Sequence, residues 1–173
     1  MTDQKTVRIG GGAAFFIDSA MAVPQLLKAG VDYILLDYLA EGAMGLLGRA
    51  RQADPKAGFP SDFMDVHIGP FLAQIAQTGT KIMANAGGVN PEELATQLRG
   101  RIAELGLNLN VACISGDDLM GQLADFADVK DMFTGAPFPT SGVTSCNAYL
   151  GAFPIAKALA QGADIVITGR VVD

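Results

Sequence analysis

Two carboxylates, Asp37 and Glu41, stand just after the apolar run Tyr33-Ile-Leu-Leu. A carboxylate that closes a buried strand is poorly solvated along it and suits general acid–base work. Glu41 has a second reading, in the first turn of a following helix, where the helix dipole favours negative charge. A second run, Lys81-Ile-Met-Ala, leads into Asn85-Ala-Gly-Gly-Val-Asn-Pro91. Gly87 and Gly88 permit a sharp turn. Asn90-Pro91 then opens a helix whose free N–H groups suit a phosphate, a carboxylate or a thioester oxyanion. A plain capped turn explains the same residues equally well. Asn85, just past the strand, is the side chain expected to meet a ligand. Arg170 follows the run Ile165-Val-Ile-Thr-Gly169. It is placed either to hold an acidic ligand or to pair structurally with a carboxylate such as Asp37.

Gly10, Gly11 and Gly12 allow a backbone to approach an anion without a Cβ in the way. Gly10 and Gly12 also have the spacing that opens a dinucleotide fingerprint, with Asp37 ending the next strand. Phe15 stands where the third glycine belongs, and Pro24 disturbs the helix that would receive the pyrophosphate. Asp117 and Asp118 suit a helix cap. Cys146 follows Thr144-Ser145 near an expected helix N-terminus, a setting that lowers a thiol pKa. The one histidine, His67, falls in a helical stretch away from any strand end, so a Cys–His dyad has no support from spacing. One histidine and scattered carboxylates give no metal-ligand pattern, and no metal or cofactor is expected.

The elements that position these residues alternate. Strands are expected at Val7–Gly11, Tyr33–Asp37, Lys81–Ala84, Leu107–Ile114 and Ile165–Thr168. The segment after Asn90 is the clearest helix, with Asn90 as N-cap, Leu94, Leu98, Ile102 and Leu105 on one stripe, and Gly106 ending it. Asp62–Gln77 is a second, with Pro70 separating its first turns. Ser19–Lys28 reads as a kinked helix or a loop. Asp117 or Asp118 starts a short helix with Leu119, Leu123 and Phe126 inward. Ser145–Gln161 reads as a helix kinked at Pro154. Segments 53–60 and 128–143 are long loops rich in Gly, Pro and Asp. This βα alternation predicts a mainly parallel α/β sheet of about five strands with flanking helices, a doubly wound arrangement being favoured over a half barrel. In either, ligands bind at the carboxyl ends of the strands, where these loops cluster.

The 173 residues accommodate one domain, and half of them are apolar, as a buried sheet requires. A net charge of −6 without clustered Lys or Arg excludes a nucleic-acid partner. No apolar run reaches the ~20 residues of a membrane span, and the N-terminus lacks a signal peptide's apolar stretch. Two cysteines, Cys113 and Cys146, read as reduced thiols, so a cytoplasmic location is expected.

Five blocks taken together resemble the acyclic terpene utilisation (AtuA) family: Arg8-Ile-Gly-Gly-Gly-Ala13, Asp32-Tyr33 through Glu41, Asn85 through Pro91, Ser145-Cys-Asn-Ala-Tyr-Leu-Gly-Ala152 and Ile165 through Asp173. They stand in the family's order across nearly the whole chain. The resemblance implies a role in acyl-CoA catabolism, beside enzymes that degrade citronellol- and geraniol-type acids as CoA thioesters. It implies a lyase, hydratase or hydrolase acting on a branched or 3-hydroxy-glutaryl-type acyl thioester or acid. Asp37, Asn85 and Glu41 are then the expected catalytic residues. Gly10, Gly11, Gly12, Gly87, Gly88, Asn90, Asp117, Cys146, Asn147 and Arg170 are the expected substrate contacts. The family domain continues past the Gly169-Arg170 block, so residues 1–173 are expected to form a single α/β domain completed by a second polypeptide or by a copy of itself. The uncovered last strand, Ile165–Thr168, motivates that expectation. Two rival functions are a nucleotide-dependent oxidoreductase and a non-catalytic partner subunit.

Overall fold

The computed structural model describes residues 6–139 and 141–172. Five strands, β1 (Ile9–Ala13), β2 (Tyr33–Leu36), β3 (Lys81–Ala84), β4 (Val111–Ile114) and β5 (Ile165–Thr168), form one sheet in the order β1-β2-β3-β5-β4. Every pairing is parallel. The helices are α1 (Ala22–Ala29), α2 (Glu41–Ala53), α3 (Leu72–Thr78), α4 (Pro91–Glu104) and α5 (Phe153–Ala160).

Strand alternation sorts the core into two layers. Ile34, Leu36, Ile82, Ala84, Ile165 and Ile167 face one way, under Val23 and Leu27 of α1, Leu72 and Ile75 of α3, and Leu94, Leu98 and Ile102 of α4. Met83, Ala112, Ile114 and Val166 face the other way, against Ile155, Ala158 and Leu159 of α5. Connections run in one direction from β1 to β4 and turn back from β4 to β5, so helices cover both faces of an open sheet. That is the expected doubly wound α/β class, not a closing barrel. Cover is uneven. On the α5 side Ile9 is 66% and Leu35 47% exposed, because α5 reaches only the β4–β5 half of the sheet.

Several expectations move. The first strand runs two residues later than predicted, because three glycines give no side-chain alternation to fix its register. The fourth begins at Val111 rather than Leu107. The second closes at Leu36. The last strand is not uncovered: β5 lies between β3 and β4 with all four residues buried. Asp62–Gln77 divides as Pro70 suggested, into a π-helical turn Phe63–Ile68, a 3-10 turn Gly69–Phe71 and α3. The helix expected over Ser145–Gln161 shrinks to α5, with Pro154 in its first turn, where proline's missing N–H costs nothing. Its first half is extended instead. Leu119 N–H donates to Cys146 O at 2.8 Å and Ala148 N–H to Asp117 O at 2.7 Å, while Leu150 bridges Val171. The short helix at Met120–Phe126 is 3-10, with Asp118 Oδ1 accepting Met120 N–H at 2.9 Å.

At the amino end of the sheet, Asp164 ties β3, β4 and β5 together. Its carboxylate accepts Lys81 Nζ at 2.6 Å and Asn110 N–H at 2.7 Å. Burial alone would raise the carboxyl pKa, but the Asn110 N–H and the Lys81 ammonium hold it below the ordinary value. A depressed folded pKa contributes stability above the unfolded value, and that contribution is lost as pH falls through the folded one. Asp164→Asn is therefore expected to cost about 1 kcal/mol near neutral pH. The gap in thermal midpoint between wild type and variant should close below the unfolded aspartate value of 3.8. Melting curves from pH 7 to 3 check this; a gap that widens in acid contradicts it.

Candidate active site at the carboxyl rim

The register continues past the strand ends. Leu36 pairs with Ala84, and Ala84 with Ile167, so the next residues, Asp37, Asn85 and Thr168, form one row across β2, β3 and β5. All three take the side of the sheet that Leu35, Met83 and Val166 occupy, so three polar groups converge above an apolar floor. They line a cleft of about 210 Å³ whose other walls include Leu35, Met83, Ile155, Val171 and Val172. The row is internally bonded. Asn85 Nδ2 donates to Asp37 Oδ1 at 2.6 Å, and Asn85 Oδ1 accepts the Tyr38 N–H at 2.6 Å. Thr168 Oγ1 donates to Gly169 O at 2.8 Å. The Asn85 amide is thus fixed in one orientation, with its oxygen turned to backbone and its nitrogen to the carboxylate.

Behind the row, Tyr38 is wedged edge-on between Phe63 (ring centroids 6.0 Å apart) and His67 (5.9 Å). His67 is fully buried, with Nε2 3.5 Å from Asp62 Oδ2. The Tyr38 hydroxyl has no hydrogen-bond partner among the described residues, and burial, then the Asp62 and Asp18 carboxylates, push its pKa far up. Tyr38 therefore anchors the N–H that orients Asn85. His67 packs there, against Tyr38, while Cys146 lies in the extended segment against Leu119.

Beside the row, Asp117 braces the rim. It is buried, and Oδ2 accepts both the Arg170 N–H and Asn147 Nδ2 at 2.9 Å. Gly169 is what admits it: a Cβ there would lie 2.6 Å from Asp117 Cγ. Gly87 is held as closely, with its N–H on Thr168 O at 3.0 Å and room for a Cβ taken by Thr168 O and Pro91 at 2.5 Å. Gly88 adopts a left-handed φ of 58° against Gly58 O. These glycines serve chain packing, and the Gly87–Gly88 turn brings Asn85 and Thr168 side by side.

Glu41 begins α2, as one of its two readings has it, and it is not among the residues that line the cleft. It accepts the Tyr149 hydroxyl and lies 3.7 Å from Arg170 Nη2, while the Arg170 guanidinium sits 4.3 Å over the Tyr149 ring. The Tyr149 hydroxyl, its own backbone N–H and the Arg170 charge hold the Glu41 carboxyl below its ordinary value. Among the described residues the carboxylate that Arg170 pairs with is that of Glu41 rather than Asp37.

Other expected contacts fall elsewhere. Gly10, Gly11 and Gly12 lie inside β1, where Gly10 packs under Leu26 and Gly12 against Ile34 and Leu36. The turn that a dinucleotide fingerprint needs is absent at those glycines. Asn90 makes no side-chain cap; its Nδ2 donates to Pro55 O at 3.0 Å and Ala57 O at 2.8 Å and so holds the 53–60 loop. Leu105, expected on the inner stripe of α4, is exposed. Cys146 heads no helix: burial, then the Asp118 charge, push its thiol up rather than down. Thr168, Tyr149, Gly169 and the apolar cleft walls were not picked out from sequence as site residues. Thr168 was the detectable one, since it closes an apolar run as Asp37 and Asn85 do.

Larger clefts lie elsewhere. One of about 240 Å³ lies along Gly48, Arg51 and Asn147, but its acid, Asp118, is paired with Arg51 at 2.8 Å. Another, about 260 Å³, lies at the amino ends of β2 and β3, where Asp32 accepts the Arg8 N–H at 2.7 Å. A third, about 410 Å³, runs between β4 and α5 with Lys157 as its one charged residue. Among the described residues none of the three holds a carboxylate hydrogen-bonded to a side-chain amide, as Asp37 is to Asn85. Among the described residues no group of three His, Cys, Asp or Glu side chains is placed to hold a metal ion, and no helix is long and apolar enough to cross a membrane.

No curated protein and no solved structure matches the chain. The family of acyclic terpene utilisation proteins, AtuA, matches over residues 7–173. The cross-strand row, the Asp117 brace and the Arg170 cluster all lie within that span, and the chain belongs to the acyclic terpene utilisation (AtuA) family.

Proposed function

We propose that this chain is an enzyme, or an enzyme subunit, that acts on a branched acyl-CoA or the corresponding carboxylic acid. The observation that carries the reading is the cleft itself. An apolar trough of Leu35, Met83, Ile155, Val171 and Val172 ends on Asp37, Asn85 and Thr168. Such a trough suits a branched hydrocarbon chain, with its polar end against the row. Membership of a family concerned with acyclic terpenes supports a substrate of that shape.

Hydration, hydrolysis and carbon–carbon cleavage of an acyl thioester share two needs: a group that takes and returns a proton, and a donor for the carbonyl oxygen. Asp37 is assigned the first role. Asn85 Nδ2 carries two N–H groups and gives one to Asp37, which leaves the second for an acyl oxygen. Arg170, beside the row, holds a carboxylate or phosphate of the ligand.

Calorimetric titration with a citronellyl-type CoA thioester, acetyl-CoA and free CoA tests the reading. The branched thioester is expected to bind at least tenfold more tightly than acetyl-CoA, since each buried methylene contributes about 0.8 kcal/mol. Equal affinity for the two thioesters would remove the trough from the acyl site.

A further inference from the structure

The trough lies open on its β1 side, where Leu35 stands 47% exposed beside Ile9. The chain that leaves β1 at this point is the segment joining it to α1, residues 14–21. It starts against the row: Ala13 pairs with Leu36, and Ala13 O accepts the Asp37 N–H at 3.0 Å. Its side chains are unusual for a loop on a polar rim. Phe15 is 56%, Ile17 75% and Met21 61% exposed, while Phe16 packs against the core. Its backbone is held where the sequence disfavours it. Ile17 has a left-handed φ of 64°, the one positive φ outside glycine among the described residues, and a β-branched side chain fits poorly there. Two carboxylates hold this shape. Asp62 Oδ2 accepts the Ile17 N–H at 2.6 Å, and Asp18 Oδ2 accepts the Ala14 N–H at 2.9 Å. Asp62 also has a second partner within reach. The same oxygen lies 3.5 Å from Nε2 of the fully buried His67, which makes no hydrogen bond among the described residues. A strained loop, one hydrogen bond that fixes it and an alternative partner for the fixing group are the parts of a latch.

We propose that residues 14–21 form a lid, latched open by Asp62, that closes over the β1 side of the trough and lays Phe15 on Leu35. The reach is sufficient, since adjacent strands lie about 4.8 Å apart and two extended residues beyond Ala13 span about 7 Å. Release of the Ile17 N–H lets Asp62 turn to His67 and lets Ile17 leave the left-handed region. Closure then buries Phe15, which now faces solvent, and screens Asp37 from water. No covalent bond is made or broken. This deepens the acyl-trough reading and rests on it for the lid's purpose, which is to supply the wall that the sheet leaves open.

The chain contains no tryptophan, so Phe15→Trp places a single indole in the lid. Its emission and its quenching by acrylamide are measured, without ligand, for this variant alone, with Asp62→Ala, with Asp62→Asn, and with Asp62→Ala plus Leu35→Ser. Phe15→Trp alone is expected to report an exposed indole. Asp62→Ala should shift the emission to the blue and lower quenching about twofold, since loss of a charge-assisted hydrogen bond moves a two-state ratio by about tenfold. Asp62→Asn should move both by less, because its amide oxygen still accepts the Ile17 N–H, and it carries the test if the alanine variant does not fold. Leu35→Ser should return the indole to solvent. Unchanged or red-shifted emission in the folded Asp62 variants, or a blue shift that survives Leu35→Ser, overturns the lid. No acyl ligand enters these measurements, so failure of the branched thioester to bind would overturn the trough reading and not this result.

Discussion

Gly169→Ala is expected to lower stability by about 3 kcal/mol and to loosen the whole rim. The added methyl would meet the Asp117 carboxylate, with Cγ 2.6 Å away, and that acid is buried and held in place by its own hydrogen bonds. Moving Asp117 breaks its bonds to Arg170 N–H and Asn147 Nδ2, two contacts at 2.9 Å. Each hydrogen bond to a charged acceptor is worth about 1.5–3 kcal/mol, and overpacking by one methyl alone costs about 1–3 kcal/mol. For a chain of this size the thermal midpoint should fall by about 6–12 °C. Gly100→Ala is the matched control. Gly100 lies inside α4 with nothing within 4 Å of a new Cβ, so alanine should raise stability slightly. If Gly169→Ala melts with wild type, Asp117 does not brace the rim.

The second large effect concerns chemistry and leaves the fold intact. Asp37→Asn preserves an oxygen at the position that accepts Asn85 Nδ2 at 2.6 Å, so the row and its backbone are expected to persist. It removes the group able to take a proton. General acid–base catalysis is worth about 10²–10⁴ in rate, and kcat on the branched thioester should fall by that factor with binding retained. Asn85→Ala should act differently. It frees both the Tyr38 N–H and Asp37, so it should raise KM as well as lower kcat. Full activity in Asp37→Asn would take that residue out of the mechanism.

What could be read from sequence divides by the range of the interactions. Asp37 and Asn85 were visible because each closes a short apolar run, and parallel topology then brings strand ends to one rim. α4 was visible because Leu94, Leu98 and Ile102 repeat at helical spacing and Gly106, at a φ of 64°, stops the chain from continuing. The register of β1 was not, since Gly10–Gly12 offer no pattern of inward and outward side chains. The segment 145–152 misled for another reason. Its local composition suits a helix, but Ala148 and Cys146 find backbone partners at Asp117 and Leu119, about thirty residues away, and that pairing wins. Asn90 shows the same competition on a smaller scale, its amide drawn from the helix end to the carbonyls of Pro55 and Ala57. The partnership of Glu41 with Arg170 depends on the insertion of β5 between β3 and β4, which no local pattern encodes.

The exposed half of the sheet bears on how the site works. Parallel sheets are ordinarily covered on both faces, and here Ile9 and Leu35 stand open beside the cleft floor. The trough is therefore shallow on that side, and a bound acyl chain would itself cover part of Leu35 and Met83. Burial of those two side chains is a direct marker of occupancy.

A residue-resolved NMR titration of the wild-type chain with a citronellyl-type CoA thioester tests the central claim most directly. The largest shifts are expected at the Leu35, Met83 and Ile155 methyls and at the Asn85 side-chain amide, with Asp37 and Thr168 amides following. Lys157 and the β4 residues Val111–Ile114, which line the larger groove, should not move. Shifts centred on that groove, or on Arg51 and Asp118, would place the ligand elsewhere and contradict the assignment of Asp37, Asn85 and Thr168 as the acyl site.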